Sequence, residues 1–268
     1  MPEGPLRIAH ISDLHCGSIY HIPSLAMRVV DELNELAPDV VVVTGDLSDM
    51  GFRQEFKAAQ RLITRIECAN KLVLPGNHDA RNVGEEHFIE LFGDLDSEMS
   101  IGGTRLIGLD STEPDLDHGR IGRQRCHALV EQFADPDEFK VVAMHHHLVP
   151  VPGTGRERNI IYDAGDVLRT LASCGTDLVL CGHKHVPNVW RLEDMLIVNA
   201  GTACSHRLRG KVRPSYNILE IFADGRVRVT QKQPFGEAEV VADFRDIHRH
   251  QCRWVPTADF DVAEEVEP

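Results

Sequence analysis

The stretch Lys71-Leu72-Val73-Leu74-Pro75-Gly76-Asn77-His78-Asp79 joins two unlike halves. Its first half is short and apolar, which is the composition of a buried strand. Its second half crowds an amide, an imidazole and a carboxylate behind a glycine, and a packed core gains nothing from burying such groups. The chain repeats the pattern. Asp13-Leu14-His15 follows the run from Leu6 to Ile11, and Gly45-Asp46 follows Val40-Val41-Val42-Val43. His145 ends the run from Phe139 to Met144, and Gly182-His183-Lys184-His185 ends that from Asp177 to Cys181.

Between these runs the apolar period changes to that of helices. Leu25, Val29, Leu33 and Leu36 predict a helix from Pro23 to Leu36, with proline in its first turn. Further helices are expected from Phe52 to Ile66, near Glu85 to Leu91, and over 123–133 and 164–172, with another strand from Arg105 to Leu109. After Gly182 the character shifts. Val189 to Leu192, Met195 to Val198, Tyr216 to Phe222 and Arg226 to Thr230 read as adjacent antiparallel strands, with Asp224-Gly225 as a hairpin turn. Alternating strands and helices predict an α/β fold of two packed sheets with helices outside. Every polar cluster then lies at the C-terminal end of a strand, where open α/β sheets bind ligands. We expect the main domain over residues 1–232 and a C-terminal extension over 233–268 ending in a mobile acidic tail.

The formal charge of −14 argues against a broad electrostatic grip on nucleic acid, although a nucleic acid taken up locally as substrate stays possible. Seven cysteines, an odd number without a CxxC pair, suggest reduced thiols and a cytoplasmic location. No signal peptide is read before Leu6, and no apolar run is long enough to cross a bilayer.

Taken singly, Asp13, Asp46 and Asn77 could be turn or N-cap residues, and the histidines could be polar residues at loop entrances. A structural zinc on Cys181, His183 and His185 is another reading, weakened by the carboxylates and by the lack of further cysteines nearby. Residues two apart on an extended segment face one way, so Asp13 and His15 can converge on one ion. Five such clusters in order at strand ends make metal binding the reading that explains them together.

The series Asp13-x-His15, Gly45-Asp46, Gly76-Asn77-His78-Asp79, Val142-x-x-His145 and Gly182-His183-x-His185 resembles the calcineurin-like metallophosphoesterase family. Leu109-Asp110-Ser111 and His118-Gly119 are similar to its class III cyclic-nucleotide phosphodiesterase branch. The resemblance implies a four-layer αββα sandwich with two metal ions at one edge. It implies that Asp13, His15, Asp46 and His185 hold the first ion, and that Asp46 bridges to a second completed by Asn77, His145 and His183. His78 would lie nearest the scissile phosphate. Two divalent ions about 3.5–4 Å apart would lower the pKa of a bridging water and supply the hydroxide nucleophile. Imidazoles with a few oxygens suit manganese, iron, zinc or cobalt better than magnesium or calcium. As catalytic candidates we take His78 and Asp79, the latter either orienting His78 or capping a turn. As substrate contacts we take Asn77, His78 and Arg81, with Tyr20 and His21 within reach.

The function expected is a metal-dependent phosphohydrolase, a phosphodiesterase for a cyclic nucleotide or other small phosphodiester. Rivals are a phosphomonoesterase, a nuclease, a phosphoprotein phosphatase, and a binding scaffold that keeps the fold without the chemistry. The loop from Leu148 to Tyr162 either shapes substrate access or is a plain connection. Arg207, Arg209, Lys211 and Arg213 are read as the solvated face of a hairpin ahead of a phosphate-attracting patch, and His146 and His147 either reach the rim or lie exposed. Oligomeric state is left open, a homodimer included.

Overall fold

Val40, Val42 and their neighbours Val41 and Val43 face two different cores. The even pair joins Leu6, Ile8, Leu72 and Leu74 against Val141, Leu178, Leu180 and Val198, whereas the odd pair meets helix side chains such as Leu33, Phe56 and Ile63. A strand apolar on both faces must be covered on both. The computed structural model, which describes residues 4–155, 159–209 and 212–244, shows how.

In chain order the elements are β1 (Leu6–Ile11), α1 (Pro23–Leu36), β2 (Val40–Thr44), α2 (Arg53–Thr64), β3 (Lys71–Leu74), α3 (Gly84–Phe92), β4 (Ser97–Ile101) and β5 (Thr104–Gly108). There follow α4 (Arg123–Gln132), β6 (Phe139–Ala143), α5 (Ala164–Ser173), β7 (Leu178–Cys181), β8 (Asn188–Leu192), β9 (Met195–Asn199), β10 (Tyr216–Ile221), β11 (Val227–Lys232) and β12 (Ala238–Phe244). One six-stranded sheet has the order β12-β11-β10-β1-β2-β3 and the other β4-β5-β6-β7-β9-β8. Their facing sides form the inter-sheet core. Helices α1 to α3 cover the outer side of the first sheet, and α4 and α5 that of the second. The four-layer αββα sandwich expected from the sequence is the one observed.

Two details differ from expectation, the placing of the late strands and an added strand. The four late strands do not form one antiparallel row: β8 and β9 pair in the second sheet, where β9 also runs parallel to β7, while β10 and β11 join the first sheet beside β1. Alternation fixes which residues face a core but not which sheet a strand enters. Strand β4 was not anticipated, because its sequence Ser-Glu-Met-Ser-Ile has a half-buried, weakly apolar face. Its signal lay in Gly102-Gly103, the two-residue turn that returns it antiparallel to β5. The boundary expected at 232/233 falls between β11 and β12, which pair in one sheet. The acidic tail lies outside the described residues. Among the described residues, no helix is long and apolar enough to cross a membrane.

Strands β1, β2 and β3 are mutually parallel, as are β5, β6, β7 and β9. Their C-terminal ends therefore open on one edge of the sandwich, and that edge gathers the polar clusters.

Candidate metal centre

Three turns must interlock for the clusters to meet. A Cβ on Gly76 would lie 2.3 Å from both Asp46 N and Asp46 Oδ1, and one on Gly182 would lie 2.0 Å from Ser12 Oγ. Only glycine permits such approach, so the Gly-Asp, Gly-Asn-His-Asp and Gly-His motifs are tight for a steric reason. Asp13, His15, Asp46, His183 and His185 all adopt left-handed backbone conformations, with φ of 56°, 46°, 52°, 70° and 56°. Each costs of order 1–3 kcal/mol unless the surroundings impose it, and such residues gather at functional sites.

Asp13, His15, Asp46 and His185 are buried, each offering a donor atom within 4.8 Å of the others. His185 Nε2 lies 3.1 Å from Asp13 Oδ1 and 3.0 Å from His15 Nε2, which is 3.5 Å from Asp46 Oδ2. The other oxygen of Asp46 faces a second group. Asp46 Oδ1 is 3.4 Å from His145 Nε2, which is 3.1 Å from Asn77 Oδ1 and 3.2 Å from His183 Nδ1; His183 Nδ1 is 2.9 Å from Asn77 Oδ1. One carboxylate thus serves both groups, one oxygen to each.

Proton accounting shows what the two groups need. His145 Nδ1 donates to the Thr44 carbonyl at 2.7 Å, and His185 Nδ1 donates to the Arg207 carbonyl. Both rings therefore turn Nε2 inward, as a bare lone pair whenever the ring is neutral. Asn77 Nδ2 donates to Asp117 Oδ1 at 3.2 Å, so its oxygen also points inward. In the second group a carboxylate oxygen, an amide oxygen and the His145 Nε2 lone pair converge on one another, with His183 Nδ1 the one ring nitrogen among them whose tautomer is not fixed by a carbonyl. In the first, buried Asp13 Oδ1 faces His185 Nε2 at 3.1 Å, and His15 Nε2 stands 3.0 Å from the same nitrogen. Converging acceptors repel one another, and a cation is the species that relieves it. Nitrogen and oxygen donors in these numbers fit a first-row divalent metal.

Ionisation agrees. Burial opposes a charge on Asp46, yet His145, His78 and His15 hold its carboxyl below the usual carboxylate range. Burial likewise opposes ionisation of Asp13, and the His185 charge and hydrogen bond overcome it. Burial pushes His15 down to about 3 and His183 well below its ordinary value, so these rings are neutral, while Asp13 pulls His185 up against its burial.

His78 stands beside the first group, its ring edge-on to His15 at 4.6 Å. Its Nδ1 donates to the Asp49 carbonyl at 2.6 Å, which leaves Nε2 to accept from Arg207 Nη1 at 3.0 Å. Arg81 Nη1 approaches Nδ1 at 3.0 Å and Asp49 O at 3.4 Å, and Arg81 Nη2 is held by Asp117 Oδ1 at 2.9 Å. Asp79 does not orient His78. Its carboxylate accepts from Leu47 N, Ser48 N, Ser48 Oγ and Gly76 N at 2.7–2.9 Å, tying the turn after β2 to that after β3. Burial, then the Asp46 charge, push this carboxyl up to about 7, against the pull of those donors. A cation on Asp46 would remove that repulsion.

A cleft of about 240 Å³ opens over the donor atoms, lined among others by Asn77, His78, Arg81, His183, His185 and Arg207. Arg207 and Arg209, read from sequence as a hairpin face, line it, as does Asn159 of the loop after β6; Arg156, Arg158 and Lys211 lie outside the described residues. Tyr20 lines an adjoining hollow, and His21 Nδ1 faces the Leu14 carbonyl instead of the metal groups. His146 and His147 are fully buried, one bonded to Ser111 Oγ and the other stacked on His183. Cys181 faces the helix-side core, with burial raising its thiol to about 12, so it is no partner for the histidines. Sequence reading missed Asp49 and Asp117. Asp49 follows Asp46 by three residues in one turn, which could have flagged it; Asp117 carries no local signal.

A model of the calcineurin-like phosphoesterase family matches residues 6–187. A cAMP/cGMP dual specificity phosphodiesterase of Mycobacterium tuberculosis is 27% identical over 201 residues, which are 69% of this chain and 63% of that protein. A glycerophosphodiester phosphodiesterase of Enterobacter lignolyticus is 30% identical over 199 residues, 67% of this chain and 71% of its own. The match to the mycobacterial protein thus spans less than two thirds of its length. A purple acid phosphatase from yellow lupin seeds has the same fold, with a TM-score of 0.70 at 12% identity over 89% of this chain and 53% of that one.

Proposed function

Because the chain belongs to the calcineurin-like phosphoesterase family, we propose that it is a metal-dependent phosphohydrolase that cleaves small phosphodiesters at a dinuclear centre. The observation that carries this reading is the Asp46 carboxylate, with one oxygen turned to each of two groups of converging acceptors. Asp13, His15, Asp46 and His185 would hold one divalent ion, and Asp46, Asn77, His145 and His183 the other. Manganese, iron and zinc all suit these donors. When bound, the ions supply the positive charge that makes water nucleophilic near neutral pH and neutralises phosphate oxygens.

The chain's own groups do the rest. Arg81 and Arg207, on either side of His78, are placed to hold non-bridging phosphate oxygens. In hydrolysis a water oxygen bonds to phosphorus, the ester P–O bond breaks, and the departing alcohol oxygen takes a proton. His78 Nε2, at the edge of the cleft, would hold or pass that proton, with the Asp49 carbonyl fixing its tautomer. A cytoplasmic location is part of the proposal, supported by the free cysteines among the described residues.

Phosphomonoester hydrolysis is the second reading, favoured by the two guanidiniums at His78, which offer more charge than a monoanionic diester needs. A panel decides: bis-nitrophenyl phosphate, a cyclic nucleotide, nitrophenyl phosphate and single-stranded DNA, each with Mn²⁺-loaded protein. Diester turnover well above the others supports the proposal; hydrolysis of the monoester alone moves it to the second reading. No turnover of any substrate rejects both.

A further inference from the structure

Resting on the phosphohydrolase reading, we infer that Asp117 sets the charge of the phosphate the cleft accepts. It turns the site toward a singly charged phosphoryl group, as in a diester, and against a doubly charged one, as in a monoester. The two guanidiniums beside His78, counted alone, favour a dianion. Counted with their partners they do not. Arg81 Nη2 donates to Asp117 Oδ1 at 2.9 Å, and Arg207 Nη1 stands 3.7 Å from Asp49 Oδ1. Each guanidinium keeps its donors while a carboxylate offsets its charge.

The two carboxylates are not equivalent. Asp49 Oδ1 lies 3.6 Å from Nδ1 of both His15 and His78, on the far side of those rings from the cleft, and its side chain is 24% exposed. Asp117 lines the cleft itself, with its side chain 63% exposed. An ion pair this open adds little to stability, so the fold gains little by placing a carboxylate at the mouth of a phosphate cleft. A fixed negative charge there acts on the ligand instead. It repels a dianion about twice as strongly as a monoanion, and selection between two ligands is set by that difference.

The carboxylate is held over the cleft by its neighbours. Asn77 Nδ2 donates to Asp117 Oδ1 at 3.2 Å from one side, opposite Arg81. Behind it, Ser111 Oγ accepts from His146 N at 3.2 Å and turns its proton to His146 Nδ1 at 2.9 Å. That leaves His146 Nε2 to donate to the Asp117 carbonyl at 3.3 Å. Asp115 N donates to Ala80 O at 3.1 Å, and Asp115 Oδ1 accepts from Asn82 N at 2.8 Å, which fastens the same loop to the turn carrying His78 and Arg81. A Cβ on Gly119 would lie 2.2 Å from Ser111 O and 2.4 Å from His146 Nδ1, so only glycine lets the loop close on this ring. The fold therefore sets the distance between the Asp117 charge and the phosphoryl position.

Asp117→Asn removes the charge and keeps an oxygen for Arg81 and Asn77. The test compares nitrophenyl phosphate with bis-nitrophenyl phosphate at about pH 8, where the monoester is doubly charged. It uses Mn²⁺-loaded wild type, Asp117→Asn and Asp117→Glu, with metal content read by mass spectrometry. We expect two ions in each protein. The monoester-to-diester ratio of kcat/KM should rise about tenfold in Asp117→Asn, through KM, and stay near the wild-type value in Asp117→Glu. An unchanged ratio in Asp117→Asn, an equal rise in Asp117→Glu, or loss of metal from Asp117→Asn overturns the inference. Calorimetric binding of phenylphosphonate, a dianion, and of its monomethyl ester, a monoanion, separates this inference from the hydrolase reading. If no ester is hydrolysed yet Asp117→Asn tightens the dianion relative to the monoanion, the charge selection stands and the hydrolase falls. An equal change for both ligands rejects the charge selection whatever the turnover.

Discussion

The two sheets bring different chemistry to their shared edge. The first contributes Asp13, His15, Asp46 and Asn77 from turns locked by backbone contact, at Gly45 and Gly76 above all. The second contributes His145, His183 and His185, and carbonyls elsewhere orient two of these rings, Thr44 for His145 and Arg207 for His185. The first half supplies the fixed negative charge; the second supplies lone pairs that are useful only while their tautomers are set from across the seam. An ion would therefore bind where neither half alone offers a complete set.

Asp46 joins both groups, so Asp46→Ala is the deepest cut. Metal content, read by mass spectrometry, should fall below one ion per chain, and turnover should drop beyond the roughly 10–100-fold that outer partners cost. Retention of two ions would show that the halves do not depend on the shared carboxylate. Next comes His78→Ala, which should leave metal content intact and lower kcat by roughly 10²–10⁴; full activity would remove His78 from the chemistry.

Asp117→Ala sharpens the comparison from outside the ligand set. Freed of its carboxylate partner, the Asn77 amide can turn its NH₂ inward. Calorimetry should then show the weaker of two binding steps loosened by roughly 10–100-fold. Equal binding curves for variant and wild type would mean that Asn77 holds its orientation unaided.

The smallest effect concerns stability. His10 on β1 is buried, its Nε2 3.0 Å from Thr44 Oγ1, and burial pushes it down to about 3 against the pull of Asp13. An unfolded histidine titrates near 6.5, so below that pH the unfolded chain takes the proton first. This contribution is fully present above about pH 6.5 and lost as pH falls toward 3, at about 1.4 kcal/mol per unit. Thermal melts from pH 7 to 4 should fall less steeply for His10→Gln than for wild type. Parallel curves would assign the loss to other buried rings, such as His146.

How much was legible depended on the range of the determining contact. The turns after β2, β3 and β7 were readable because a short apolar run, a glycine and a polar cluster lie within a few residues of one another, and those after β1 and β6 because a polar cluster directly follows the apolar run. For Asp79 the sequence left two roles open, orienting His78 or capping a turn, since adjacency says nothing about which turn a carboxylate faces; its four donors come from residues 47, 48 and 76. Arg207 was read as a solvated hairpin residue because its partner, His78, is 129 positions away.

The amino-acid order by itself determined the alternation of strands and helices, the four layers, and the edge at which polar residues gather, because these follow from local periodicity and from glycines where no Cβ fits. Tertiary structure alone decided which sheet received the late strands, which nitrogen of each imidazole faces inward, and that Asp49, Asp117 and Arg207 stand around His78. Those outcomes rest on hydrogen bonds between segments far apart in sequence, and such pairings leave no period for a linear reading to detect.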